Sequence, residues 1–201
     1  MATSSFPGSS DVLKKQSGSL MTTRTTGKLL ATTGYVVGIE ISGNGSRQTV
    51  ALADLHGQLL HKIRRPLDYV PDTQSVLKLI DEMIDEVASP GRVQEGRILR
   101  VGVAIGGLVD ARQGIVRRLH HAQEWQNFPL QDYMAERLEV PCIIDNNANA
   151  AALAEVQYGV LGEEENGNRR GERVVLYVGL GRGIGGGLVV NGRIYHGASS
   201  T

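Results

Sequence analysis

The chain has 201 residues, of which 41% are hydrophobic and 21% are charged, a composition typical of a soluble globular protein with a sizeable core. Lysine plus arginine and aspartate plus glutamate number 21 each, so no overall charge favours nucleic acid or an anionic membrane as a partner. The one cysteine, Cys142, excludes a disulfide framework and favours a cytoplasmic location. No segment has the roughly 18 consecutive apolar residues of a membrane span.

The chain begins with a segment that we predict to be a disordered arm, residues 1–33. It is rich in Ser, Thr and Gly, with a few scattered lysines and arginines. Such a composition buries too little apolar surface to offset the entropy lost on folding. The basic residues lack the aromatic or periodic accompaniment of a nucleic-acid site, so we interpret the arm as a solvated tail.

Three strands are predicted next, at residues 35–41, 49–55 and 58–64, and they form an antiparallel meander. The first turn, Ser42-Gly-Asn-Gly-Ser, has glycines that suit either a tight turn or a phosphate cradle. Apolar residues at helical spacing then predict a helix over 72–88, with Asp72 as its cap. A Val- and Ile-rich strand follows at 98–105, and this order implies a parallel crossover behind the meander.

Residues 107–128 show no clear periodicity and are predicted to be irregular. His120, His121 and Trp125 stand out within them. Two adjacent histidines do not face one site on a helix or a strand, and further ligands of suitable spacing are absent, so no metal site is predicted. Trp125 could line a cleft or close a core.

The stretch 142–159 has the layout of a site in an α/β protein. A short apolar strand ends in Asp145, Asn146 and Asn147, and an alanine-rich helix follows until Gly159. Polar side chains at the carboxyl end of a strand are where α/β proteins place ligands. A capped helix packed on a sheet is the simpler alternative reading of the same residues.

A glycine run at 179–187 follows a predicted strand and contains Gly181, Gly183 and Gly186 in the order G-x-G-x-x-G. A dinucleotide-binding fingerprint must open a helix, whereas this run leads into a strand and the hairpin turn Asn191-Gly192. The backbone N–H groups of such a hairpin suit phosphate binding as a nest. Two glycine hairpins predict two related lobes with a cleft between them.

Three segments, residues 101–116, 145–159 and 179–200, together resemble the ROK family of repressors and sugar kinases. The resemblance implies an α/β protein with the actin-like ATPase (ribonuclease H-like) fold. It divides the chain into the arm 1–33, a complete first lobe at 34–162, and a charged loop with the first hairpin of a second lobe at 163–201. It also suggests a homodimer.

The resemblance implies a sugar bound near Gly107, Asn146 and Asn147. In kinase members it implies ATP phosphates, with Mg, near Gly43, Gly181 and Gly183. The family's structural zinc site, and the glutamate and histidine that complete its sugar site, would lie beyond the end of this chain. No metal site is therefore expected within it.

Three departures from the kinase pattern concern catalysis. The kinases carry an aspartate, the general base, where this chain has Asn147, and a carboxamide cannot accept the proton of a sugar hydroxyl. Loss of such a base costs about 10²–10⁴-fold in rate. The first turn, which begins at Glu40, lacks the usual lysine, and Arg182 stands where a threonine is common.

These residues leave three hypotheses open. The first is a kinase-inactive, sugar-binding sensor domain of a transcriptional regulator of sugar metabolism, truncated and without a winged helix, so that no specific DNA binding is expected. The second is an ATP-dependent sugar kinase that resembles glucokinases and has replaced its base. The third is a family fragment that binds nothing tightly.

Overall fold

The structure is a computed structural model that describes residues 34–43, 47–67, 72–89, 97–119, 122–159, 174–181 and 183–198. The predicted arm 1–33, the charged loop 163–173, the two adjacent histidines at 120 and 121, and Arg182 lie outside these residues. The proposed boundary at residue 162 lies outside them too and stays a prediction.

The described residues form a mixed α/β structure. In chain order the strands are β1 (Gly34–Ile41), β2 (Arg47–Asp54), β3 (Leu59–Pro66), β4 (Arg97–Ile105), β5 (Leu108–Asp110), β6 (Ile115–Arg118), β7 (Cys142–Asn146), β8 (Val174–Leu180), β9 (Ile184–Val190) and β10 (Arg193–Ile194). The helices are α1 (Thr73–Val87), α2 (Leu130–Leu138) and α3 (Asn147–Tyr158). None of these helices has the length and apolar character that crossing a membrane would require.

A five-stranded sheet with the order β3-β2-β1-β4-β7 forms the larger part of the fold. The strands β1, β2 and β3 pair antiparallel, as the predicted meander requires. The strands β4 and β7 extend the sheet in parallel on the other side of β1. The predicted crossover is thereby confirmed, and the carboxyl ends of β1, β4 and β7 meet at one edge of the sheet.

The core lies between this sheet and α1. The Asp72 carboxylate caps α1 by accepting a hydrogen bond from the Ser75 N–H (2.8 Å), and its bonds with Ser75 lower the pKa of Asp72. The apolar stripe of α1 faces the core, as its spacing predicts. Val76, Ile80, Met83 and Val87 are fully buried, Ile84 is 3% exposed and Leu79 is partly buried. It packs against β2 and β3, where Leu52 is also inaccessible to solvent.

The segment predicted to be irregular contains structure. The strands β5 and β6 pair antiparallel, and a 3-10 turn at Gln123–Trp125 follows them. Trp125 is fully buried and meets Phe128 edge-to-face, with ring centroids 5.4 Å apart. Of the two roles open for Trp125, closing a core is therefore the correct one.

A second sheet has three antiparallel strands in the order β10-β9-β8. The helix α3 packs on one of its faces, where Val189 is 1% exposed and Gly187 lies against Ala148 and Ala152. The opposite face is apolar and open. Its most exposed members are Val174, Leu176, Val178, Leu180 and Ile184.

Candidate functional site

The site is built where β7 ends and α3 begins. Asn146 is the N-cap of α3, because its side-chain oxygen accepts a hydrogen bond from the Ala148 N–H (2.8 Å). Its amide nitrogen donates to the carbonyl of Gly107 (2.8 Å), in the turn after β4. The amide of Asn146 thus joins two strand ends, and one N–H and one lone pair of that amide remain for a ligand.

Asp145, the residue before it, has an occupied carboxylate. Its Oδ1 accepts hydrogen bonds from its neighbour, the Asn146 N–H (2.7 Å), and from the Asn149 side-chain amide (2.9 Å). Its Oδ2 lies 2.7 Å from Nε2 of His196. Asp145 therefore links the end of β7, the first turn of α3 and the segment after β10.

Asn147, the first residue of α3, lies where the turn after β1 meets the turn after β4. Its amide nitrogen is 3.4 Å from the position that a Cβ would take on Gly106. The same imaginary Cβ would lie 2.6 Å from backbone atoms of Gly43. The absence of side chains at both glycines therefore lets the turn after β1 approach the end of β4, with the amide of Asn147 beside them.

A cleft of ≈ 390 Å³ opens between the two sheets, within the size range of small-molecule sites. One wall is formed by Gly107, Leu108, Val109, Asn146 and Asn149. The other wall comes from the second sheet and the segment after it, and includes Gly185, Gly186, Gly187, Tyr195 and His196. Amide and imidazole groups thus face one space together with apolar side chains, which include Leu176 and Leu188, a mixed lining that is typical of small-molecule sites.

The predicted sugar-binding and phosphate-binding residues fall into three groups. Gly107 and Asn146 line the cleft. Gly43 and Asn147 meet beside Gly106.

Gly181 and Gly183, the remaining pair, lie at the tip of the β8–β9 hairpin. The N–H of Gly181 donates to the carbonyl of Gly183 (2.9 Å), and a Cβ built on either would have nothing within 4 Å. They are not among the described residues that line the cleft.

His196 is the residue that sequence reasoning did not identify. It follows Asp145, its partner, by 51 positions, so no local pattern joins the two. The one available signal is its place directly after the Asn191-Gly192 hairpin, which returns the chain towards the first sheet.

Other polar features do not form a second candidate site. A shallow groove of ≈ 730 Å³ at the start of α1 is lined by Asp72, Gln74, Ser75, Lys78 and Glu124. Its two acids act as caps, since Asp72 accepts from Ser75 and Glu124 accepts from the Thr73 N–H (3.1 Å). No group of metal-ligating side chains occurs among the described residues. Burial raises the pKa of the Cys142 thiol to about 11, which makes it a poor nucleophile.

The sequence matches the model of the ROK family over residues 36–201. It is 28% identical to a glucokinase from Halalkalibacterium halodurans over 167 residues, which are 82% of this chain and 47% of the glucokinase. It is 24% identical to a xylose repressor from Caldicellulosiruptor bescii over 166 residues, which are 83% of this chain and 39% of the repressor.

A solved structure has a similar fold. It is a ROK family glucokinase from Streptomyces griseus in complex with glucose and AMPPNP, 25% identical in sequence, with a TM-score of 0.64. The similarity covers 82% of this chain and 47% of the glucokinase chain. The chain therefore spans less than half the length of these relatives.

Proposed function

The chain belongs to the ROK family, and from that premise we propose that it is a sugar-binding domain that does not phosphorylate its ligand. Its fold is the actin-like ATPase fold of ROK kinases and regulators. The relatives include glucokinases and repressors, so the family alone does not choose between catalysis and sensing. The residue types at the site favour sensing over catalysis.

Asn147 is the single observation that carries the proposal. It begins α3 beside the turns after β1 and β4, at the position where the resemblance to ROK kinases implies their aspartate base. A carboxamide donates and accepts hydrogen bonds but does not take a proton near neutral pH. Such a group suits recognition of a sugar hydroxyl, and it does not suit deprotonation of that hydroxyl before phosphoryl transfer.

The neighbouring carboxylates are engaged by other groups and do not supply a substitute. Asp145 is held by three partners, at Asn146, Asn149 and His196. Glu40, at the end of β1, accepts a hydrogen bond from the Thr49 hydroxyl (3.2 Å). Each carboxylate thus already accepts a hydrogen bond within the protein, and neither occupies position 147, where the kinases have their base.

We assign the domain to a cytoplasmic regulator of sugar metabolism, in which a sugar would bind near Gly107, Asn146 and Asn147. The kinase is the second candidate, since glucokinases are among the relatives. In that case ATP and Mg would be needed, with phosphates near Gly43, Gly181 and Gly183. The open surroundings of Gly181 and Gly183 favour this alternative, because they leave room for a phosphate.

Two measurements on the whole chain test the proposal. Thermal unfolding with D-glucose, D-xylose and N-acetylglucosamine should show a raised midpoint with at least one sugar, because a ligand that binds only the folded state stabilises it. A coupled ADP-release assay with the same sugars and ATP should show no turnover. Robust turnover would overturn the proposal, as would unchanged midpoints with every sugar.

The variant Asn147→Asp sharpens this test. An aspartate restores a proton acceptor at the kinase position, so we expect phosphorylation to rise by about 10²–10⁴-fold over the unmodified chain if the phosphate site is intact. The matched control is Asn147→Ala, which removes the amide without adding a base and should stay inactive. Equal activity in both variants would show that residue 147 does not control phosphoryl transfer.

A further inference from the structure

We propose that His196 is a ligand-binding residue of the cleft, accepting a hydrogen bond from a sugar hydroxyl, and that Asp145 is the positioning residue that fixes its tautomer. This proposal rests on the proposed function, because it assigns to His196 the binding of one hydroxyl of the sugar. It adds a contact on the second-sheet wall, opposite Gly107 and Asn146.

The two oxygens of Asp145 have different partners, and this fixes the orientation of its carboxylate. Oδ1 accepts from the Asn146 N–H and the Asn149 amide, at 2.7 and 2.9 Å. Oδ2 is left to face Nε2 of His196 at 2.7 Å. A carboxylate oxygen accepts the hydrogen bond, so Nε2 of His196 is the donor and carries the proton of the imidazole tautomer.

The other ring nitrogen of His196 is then a hydrogen-bond acceptor. None of the described residues makes a hydrogen bond to Nδ1. The ring belongs to the cleft wall, and its side chain is 23% exposed. It is thus accessible to a ligand, yet anchored by Asp145. The opposite wall already offers an N–H of Asn146, so an acceptor on the other wall complements it for a ligand whose hydroxyls both donate and accept.

The competing explanation is that the Asp145–His196 pair only holds the two sheets together. A double-mutant-style experiment, which combines a change in the sugar with a change at His196, distinguishes this explanation from ligand binding. Calorimetry would measure Kd for D-glucose, its 2-, 3-, 4- and 6-deoxy derivatives and D-xylose, with the unmodified chain and with His196→Phe. We expect one missing hydroxyl to weaken binding to the unmodified chain by about 3- to 10-fold, the effect of one hydrogen bond. In His196→Phe, binding of the parent sugar should weaken by a similar factor.

The missing hydroxyl should cause no further loss in His196→Phe, because its partner is already gone. The assignment is wrong if, for every deoxy sugar, the loss of affinity from the missing hydroxyl multiplies with the loss from His196→Phe. It is also wrong if Kd is unchanged in His196→Phe. If none of D-glucose, D-xylose and N-acetylglucosamine binds the unmodified chain, the proposed function fails and this inference fails with it. Binding to the unmodified chain with no effect of His196→Phe overturns this inference alone.

The role of Asp145 in fixing the tautomer of His196 has its own readout. Heteronuclear NMR of the His196 imidazole should show the Nε2–H tautomer in the unmodified chain, a measurement that requires no variant to fold. In Asp145→Asn, the two donors at Oδ1 keep the amide oxygen on their side, so the new NH₂ group faces Nε2. The proton should move to Nδ1, and affinity for the parent sugar should fall as in His196→Phe. A Nδ1–H tautomer in the unmodified chain would overturn the proposal.

Discussion

The two glycine turns of this protein look equivalent in the sequence and differ in the structure. In the first, Gly43 lies so close to Gly106 that a Cβ on Gly106 would be 2.6 Å from backbone atoms. In the second, Gly181 and Gly183 are exposed and have open space where a Cβ would lie. Glycine is thus required by packing in the first turn, whereas no packing contact requires it in the second.

The two sheets also differ in how much of their surface is packed against other elements. The five-stranded sheet buries a continuous core against α1, while the second sheet is covered by α3 on one face only. The open face of the second sheet presents apolar side chains, of which Ile184 and Leu180 are 82% and 80% exposed. An exposed apolar face of this kind is typical of an interaction surface, so the first lobe and the second sheet should respond differently to substitution.

The largest difference is expected between an alanine at Gly106, against which the first turn packs, and an alanine at Gly181 in the second turn. Gly106→Ala places a methyl group against the rigid backbone of Gly43, and overpacking of this kind costs about 1–3 kcal/mol. The matched control Gly181→Ala adds a methyl in open space and should change stability by less than about 0.5 kcal/mol. Urea unfolding of both variants measures the difference, and equal midpoints would refute the distinction between the turns.

A smaller effect should separate the two faces of the second sheet. Val189 is 1% exposed beneath α3, and Val178 is 54% exposed on the open face. Val189→Ala removes two buried carbons and should lower the free energy of unfolding by about 1.5 kcal/mol, at ≈ 0.8 kcal/mol per buried methylene. Val178→Ala should cost less than half of that. A larger loss in Val178→Ala would mean that the open face is covered in solution.

The third comparison concerns the rate of thiol alkylation on the two sheets, for which we expect no accompanying change in stability. Burial raises the pKa of Cys142, in the first sheet, to about 11, so its thiolate is scarce below that pH and grows as pH rises towards it. Alkylation at about pH 8 should be at least ~100-fold slower than that of an ordinary thiol of pKa ≈ 8.5. A cysteine introduced by Val174→Cys, on the open face of β8, supplies the fast comparison. Similar rates at both positions would show that Cys142 is accessible.

Local patterns were sufficient to predict much of the fold. The meander, the stripe of α1 and the cap at Asp72 follow from periodicity and turn chemistry that act within a few residues. The strands β5 and β6 were missed, because three and four residues are too few to display an alternation. The start of β9 inside the glycine run was missed as well, since glycine is a weak strand former and pairing with β8 decides its conformation.

The sequence accounts for the relative positions of the candidate site residues only in part, for a related reason. Asn146 and Gly107 share the cleft because both follow parallel strands, β7 and β4, whose ends meet at one edge of the sheet. The closeness of Asn147, Gly43 and Gly106 depends on three separate segments. The pair of Asp145 and His196 depends on how the second sheet docks against α3, and no spacing in the sequence encodes such a long-range contact.

The position of Asn147 also bears on how the family's activities diverge. The N-terminus of a helix stabilises negative charge, so the first turn of α3 would tolerate an aspartate at position 147 as readily as the asparagine now there. Asparagine and aspartate codons differ by one nucleotide. Under the proposed function, the substitution that would supply a base at position 147 therefore needs one nucleotide change and meets favourable helix electrostatics. The other departures from the kinase pattern, the missing lysine and Arg182, would remain.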